Sequence, residues 1–222
     1  MCGIFGTNNT AKFEILYDVN SDRGNFSTGI VSLLNDDSQF IVKEQGLLDL
    51  DKSIGVHSES KYTIGHLQAP TSAQRKWSQD TTHPFESLSW LVVHNGVLTN
   101  WEKLNEAHTK WNVNPVDTSV IVSMLQQFTE DNEEGLEAPQ IIKKVLELVE
   151  GTFAVCIVDA DCNDVYIARQ GSILHYNEVG DFSTLPGKDY KVLPEGQILM
   201  LRDYNSWIPV ETFKTKSPFL FL

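Results

Sequence analysis

Cys2, in the opening run Met1-Cys2-Gly3-Ile4-Phe5-Gly6, is the first residue whose type and place suggest chemistry. Loss of Met1 leaves a cysteine that carries a thiol and a free α-amine together. An α-amine titrates near 7.7–8.0, so it can take the thiol proton directly or through a water and expose a nucleophilic thiolate. The plain alternative is a strand cysteine that packs as a small hydrophobe. A second set is His94-Asn95-Gly96, where an apolar run beginning at Ser89 gives way to a polar pair. Asn-Gly is a strong turn signal, so a hairpin turn is one reading. The other is an oxyanion hole, with the Asn95 amide and the Gly96 N–H converging on a point where charge gathers.

Two further residues have two readings each. Arg23-Gly24 forms a turn before a buried strand, and Gly24 is free there to take a positive φ. An arginine fork in such a turn either meets carboxylate or carbonyl partners or lies on the surface. Asp117 precedes a helical run, as an N-cap or as a carboxylate for a ligand ammonium. His66, His83 and His94, together with Cys2, raise the question of a metal, but their spacings match no compact zinc pattern. No metal and no cofactor is expected.

The elements that must carry these residues follow from periodicity. A short buried strand is predicted over residues 2–6 and a helix over 12–19. A hairpin is predicted from 27–34 and 39–45, and central strands over 61–67 and 89–94. The polar segment 70–84 is long for a simple connection, as functional loops often are. Helices are predicted over 99–110, with Thr99 or Asn100 as cap and Glu102 completing a capping box, and over 117–129. Pro139 opens a third, with Ile141, Ile142, Val145, Leu146 and Val149 in one stripe. Strands return at 152–158, 164–169, 172–176, 197–202 and 207–210. Strands, then helices, then strands, without strict alternation, predict two mostly antiparallel sheets packed together with helices outside.

Composition limits the partners. The 222 residues carry 17 Lys and Arg against 30 Asp and Glu, a formal charge of −13, which repels a phosphate backbone. No nucleic acid and no membrane partner is expected. The opening run has no basic region before it and no stretch approaches a membrane span in length. Three cysteines, an odd number without a paired framework, suit a reducing cytoplasm. The apolar end Phe219-Leu220-Phe221-Leu222 must pack on its own domain or on a partner. One domain over residues 1–222 is expected.

In order along the chain, these blocks resemble the class II glutamine amidotransferase domain, a glutaminase module with an N-terminal nucleophile. The likeness is nearest to the glutaminase part of glucosamine-6-phosphate synthases. It rests on Met1-Cys2-Gly3-Ile4-Phe5-Gly6, Arg23-Gly24-Asn25-Phe26-Ser27-Thr28-Gly29 and Gly65-His66-Leu67-Gln68-Ala69-Pro70-Thr71. His94-Asn95-Gly96-Val97-Leu98-Thr99-Asn100 and Asp117-Thr118 complete it. The resemblance implies an α+β fold, a four-layer αββα sandwich. It implies that Cys2 attacks the side-chain amide of L-glutamine, its own amine serving as base. Asn95 and Gly96 hold the oxyanion, Asp117 pairs with the substrate ammonium, and Arg23 supports the nucleophile. His66, Gln68, Thr71 and the Gly96 region fall in the substrate-binding blocks. Segment 70–84 would include the loop that closes over glutamine, and the ammonia would pass to a separate synthase partner. One position departs: the family clamps the substrate α-carboxylate with an arginine where this chain has Gln68, and a neutral amide offers no bidentate charge pair. That departure leaves room for a hydrolase of another amide. A retained Met1 would instead fit an inactive regulatory subunit of the same fold.

Overall fold

The computed structural model describes residues 1–50, 59–69, 76–108, 114 and 116–215. The first sheet has seven strands in the order β11-β9-β10-β1-β4-β2-β3. These are β1 (Gly3–Thr7), β2 (Ser27–Leu34), β3 (Gln39–Gln45), β4 (Ser60–Gln68), β9 (His175–Tyr176), β10 (Phe182–Ser183) and β11 (Lys191–Val192). The second has six in the order β13-β12-β8-β7-β6-β5. They are β5 (Phe85–Glu86), β6 (Trp90–Leu98), β7 (Gly151–Asp159), β8 (Asp164–Gln170), β12 (Gln197–Arg202) and β13 (Ser206–Thr212). Every strand pair is antiparallel. The expected two-sheet α+β architecture is the one observed.

Alternation along the strands sorts the apolar residues into three cores, which define four layers. Between the sheets lie Ile4, Val31, Leu33 and Ile64 from one side and Leu91, Val93, Ala154, Cys156 and Val158 from the other. Residues of opposite parity, Phe5, Ile30 and Leu67, turn outward onto Phe13, Leu16 and Tyr17 of α1 (Thr10–Ser21). On the far side, Trp90, Val92, Phe153, Val155 and Ile157 pack under three helices, α2 (Trp101–Ala107), α3 (Thr118–Glu130) and α4 (Ala138–Leu146). This is the αββα sandwich.

Local chemistry explains most helix limits. Asn9 caps α1 by accepting from the Lys12 N–H at 2.9 Å. Glu137 and Gln140 form a capping box at the start of α4, with Pro139 in its first turn. Three expectations are corrected. The predicted Thr99–Glu102 capping box does not form. Asn100 occupies the N-cap of α2 without a capping bond, because its side chain is used to donate to the Leu148 carbonyl and accept from the Glu150 N–H. The strand predicted over 172–176 shrinks to His175–Tyr176. Gly24 is not in the positive-φ region. It is glycine because a Cβ there would lie 2.5 Å from the Gln68 carbonyl carbon and the Leu67 oxygen, so the turn lies flush on the end of β4. The apolar end of the chain and residues 70–75 lie outside the described residues. Among the described residues no helix is long and apolar enough to cross a membrane.

Candidate active site

The candidate residues come from the start of β1 in one sheet and from β6 in the other. Cys2 is half-buried and in no disulfide, and it immediately precedes β1. Ile4 of β1 faces the second sheet, so the alternation carries Cys2, two residues earlier, to that same face. The Cys2 carbonyl accepts from Arg23 Nε at 3.0 Å. Arg23 therefore takes the carbonyl partner that one sequence reading offered, and it fixes the backbone from which the sulfur projects.

Asn95 and Gly96 are not in a hairpin turn, and the strand does not end at His94. Both lie inside β6, paired with Ala154 and Phe153 of β7. Long-range pairing overrides the local turn signal. Asn95 shares the parity of Leu91 and Val93, so its side chain belongs to the face between the sheets, where β1 packs across from β6. Gly96 has φ of 156°, and a Cβ on it would meet the Thr152 carbonyl oxygen at 2.0 Å and His94 Nε2 at 2.8 Å. Only glycine lets these strands close at this point.

Asp117 is the N-cap of α3, and its carboxylate does two jobs. Oδ1 accepts from the Thr118 N–H and Oδ2 from the Leu98 N–H, both at 2.9 Å. The helix start is thereby tied to the last residue of β6, and about a fifth of the side chain stays accessible, at 21%. The capping reading is observed; a ligand role remains compatible with the accessible part.

Gln68 ends β4 and is buried. Its Oε1 accepts from Ser27 Oγ at 2.6 Å, across the β2–β4 pairing. Ser27 is a partner that sequence reading missed, because its place opposite Gln68 is set by the long-range β2–β4 register. Thr71 lies outside the described residues.

His66, His83 and His94 do converge, through groups 24 to 35 residues apart in sequence. His66 Nε2 lies 3.0 Å from the His94 carbonyl. A carbonyl only accepts, so His66 is protonated at Nε2. His94 Nδ1 and His83 Nε2 lie 2.9 Å and 3.0 Å from the same Thr118 hydroxyl. The His66 and His83 rings stack with centroids 3.7 Å apart. These nitrogens are turned to a carbonyl and a hydroxyl, so the cluster is a hydrogen-bond relay. Burial holds the His94 imidazole below its usual value, while the Asp117 charge and the Thr152 backbone pull the other way.

Two packed antiparallel sheets with helices on both outsides, and a cysteine leading into a strand in the middle of the first, make the N-terminal-nucleophile hydrolase type of fold. Comparison with known proteins narrows this. No protein-family model matches the chain. A glutamine–fructose-6-phosphate aminotransferase (isomerizing) of Listeria innocua is 33% identical over 206 residues, covering 88% of this chain and 33% of that protein. The glutamine phosphoribosylpyrophosphate amidotransferase of B. subtilis superposes with a TM-score of 0.74 at 20% identity, over 95% of this chain and 49% of that one. A predicted glutamine amidotransferase from Pseudomonas aeruginosa superposes with a TM-score of 0.52 at 13% identity, over 93% and 92%. The chain belongs to the class II glutamine amidotransferase domains. It spans about a third of the length of the curated relatives it matches.

Proposed function

We propose that the chain hydrolyses the side-chain amide of L-glutamine to glutamate and ammonia, with Cys2 as an N-terminal nucleophile. Met1 is 84% exposed, which supports its removal, and removal frees the amine that deprotonates the thiol. The Cys2 thiolate attacks the carboxamide carbon. The oxyanion formed is held by the Asn95 amide and the Gly96 N–H, donors made rigid by strand pairing. Ammonia leaves with the proton the amine took up. Water then cleaves the glutamyl thioester, restoring the thiol. Asp117 pairs with the substrate ammonium, and Arg23 holds the nucleophile through its carbonyl. The ammonia goes to a separate synthase partner. The activity for which the relatives are named, amino transfer to fructose 6-phosphate, supports such an acceptor unit without identifying this chain's acceptor.

One observation carries the reading: the Cys2 backbone is pinned by Arg23, and strand alternation from Ile4 on one sheet and from Leu91 and Val93 on the other assigns Cys2 and Asn95 to the faces that the two sheets turn to each other. The decisive experiment is intact-mass analysis of native protein followed by an ammonia assay with glutamine. The mature N-terminus should be Cys2, and Cys2→Ser or Cys2→Ala should abolish ammonia release. Retention of Met1 in the native protein, or undiminished release by Cys2→Ala, would overturn the proposal.

Gln68 favours a second reading, hydrolysis of another amide by the same cysteine. Its buried side chain is neutral and engaged by Ser27, so this position supplies no cation for a free α-carboxylate. Faster ammonia release from a glutamine amide or glutamyl peptide than from free glutamine would select it.

A further inference from the structure

We propose that His94 is a positioning residue: its buried ring, wedged between Gly96 and Thr118, holds the Asn95–Gly96 donors where the substrate oxyanion forms. The inference rests on the amide-hydrolysis reading above and assigns a role to a residue that touches no substrate.

Four contacts carry it. The His94 Nε2 edge crowds the Gly96 α-carbon so closely that a Cβ would come within 2.8 Å of it. The opposite edge, Nδ1, bonds the Thr118 hydroxyl at 2.9 Å. Thr118 follows Asp117, whose Oδ2 accepts from the Leu98 N–H, so the helix grips β6 on both sides of Gly96. The His94 carbonyl, one bond from the Asn95 nitrogen, is anchored by His66 Nε2 at 3.0 Å. Ring, backbone and helix start thus form a closed loop around the two donors. A hydrocarbon side chain would fill the volume but leave the Thr118 bond unmade.

Proton count makes the loop state-dependent. Thr118 has one hydroxyl proton, so it donates to at most one of the two imidazoles that face it. At least one of His94 Nδ1 and His83 Nε2 must therefore donate to Thr118. A neutral His94 can accept from Thr118 at Nδ1, with its proton on Nε2 beside the Thr152 carbonyl. Adding a proton at Nδ1 removes that acceptor and forces Thr118 to rotate its hydroxyl away. The titratable groups facing His94 are Asp117 from the α3 cap, at 4.0 Å, His66 from β4 and His83 from the segment before β5. β7 contributes only the Thr152 backbone.

The test uses the full chain with its mature N-terminus, His94→Asn and His94→Leu. Asparagine reaches the Nδ1 position with a polar atom; leucine does not. His94→Leu should lose about 100-fold in kcat for ammonia release with KM little changed, as expected when donors are misplaced by about 1 Å. His94→Asn should recover most of that loss. In the wild type, the Gly96 amide resonance should shift with acid at the midpoint read from the His94 ring carbon itself. A folded His94→Leu with wild-type kcat, or a Gly96 resonance that ignores the His94 midpoint, would overturn the positioning role. Should His94→Leu fail to fold, the wild-type titration decides. If wild-type protein releases no ammonia from glutamine or any other amide while Gly96 still tracks His94, the hydrolysis reading falls and the mechanical coupling stands.

Discussion

Removing the Asn95 carboxamide takes away a donor without touching the backbone pairing of β6 with β7. Asn95→Ala should therefore keep its fold and its KM while kcat falls by about 2.7–4 kcal/mol in transition-state terms, the range for loss of one oxyanion donor. Steady-state ammonia release resolves this, and a loss confined to KM would contradict the assignment. Asp117 needs a subtler substitution, because its carboxylate serves the Thr118 and Leu98 N–H groups as well as any ligand. Asparagine keeps one acceptor oxygen for the Thr118 N–H but turns an NH2 toward the Leu98 N–H, so Asp117→Asn should lose about 1–3 kcal/mol of stability. In the folded fraction its KM for glutamine should rise at least tenfold, since a lost charge-assisted pair costs about 1.5–3 kcal/mol. Unchanged KM in the folded fraction would leave Asp117 a cap and nothing more. The comparison separates the two readings that the residue type alone left open.

β6 carries the proposed Asn95 donor on one face and the His94 relay on the other, and its position depends on strands it does not pair with. The segment that delivers His83 crosses Gly29 of β2 so closely that a Cβ there would lie 1.8 Å from the His83 carbonyl oxygen. Gly29→Ala should push this segment off the sheet and pull His83 from Thr118. Melting should show a loss of about 2 kcal/mol or more, the range for strain at an over-packed backbone contact, and catalysis in the folded fraction should weaken. A neutral effect on both would mean that the crossing is dispensable. These contacts also show what periodicity can and cannot reveal. The hairpin β2–β3 was legible to the residue, since β-rich runs flank a polar turn at Asn35-Asp36-Asp37. The sandwich followed from the order of strands and helices, and Cys2 and the Asp117 cap from their local settings. The continuation of β6 through Asn95-Gly96 was not legible, because turn propensity is local and the pairing with Ala154 and Phe153 is nearly 60 residues distant. The histidine relay was hidden for the same reason. The residues were visible, but their meeting at Thr118 depends on how α3 docks against β6, which no short window of sequence encodes.

Three cores stacked in series make the molecule cooperative, so one buried titration near the middle should be felt as global stability. His94 lies on the face of β6 that meets α3, under the largest core. Its folded imidazole titrates below the ordinary value of 6.5, mainly because burial disfavours the cation. Between those two values the unfolded chain binds the extra proton and the folded chain does not. Stability therefore rises with pH up to about 6.5, is flat above it, and falls as pH drops toward the folded value. Other resolved carboxylates act in a separate range. Glu211 is held below 4.5 by the Thr212 N–H and Lys143, so its contribution is present above about that pH and lost only further into acid. Asp159, raised above 3.8 chiefly by burial, works in the opposite sense, its strain relieved as it takes up a proton. His66 and His83 lie beside His94 and are buried as well, so the variant and not the window isolates this imidazole. Urea unfolding from pH 7 to 5 should show stability declining toward acid, with at most about 1.4 kcal/mol per pH unit contributed by one proton. His94→Asn, which has nothing to protonate there, should remove that contribution. Parallel curves for the two proteins would assign the acid loss to another group and would remove the link between the charge state of β6 and the integrity of the fold.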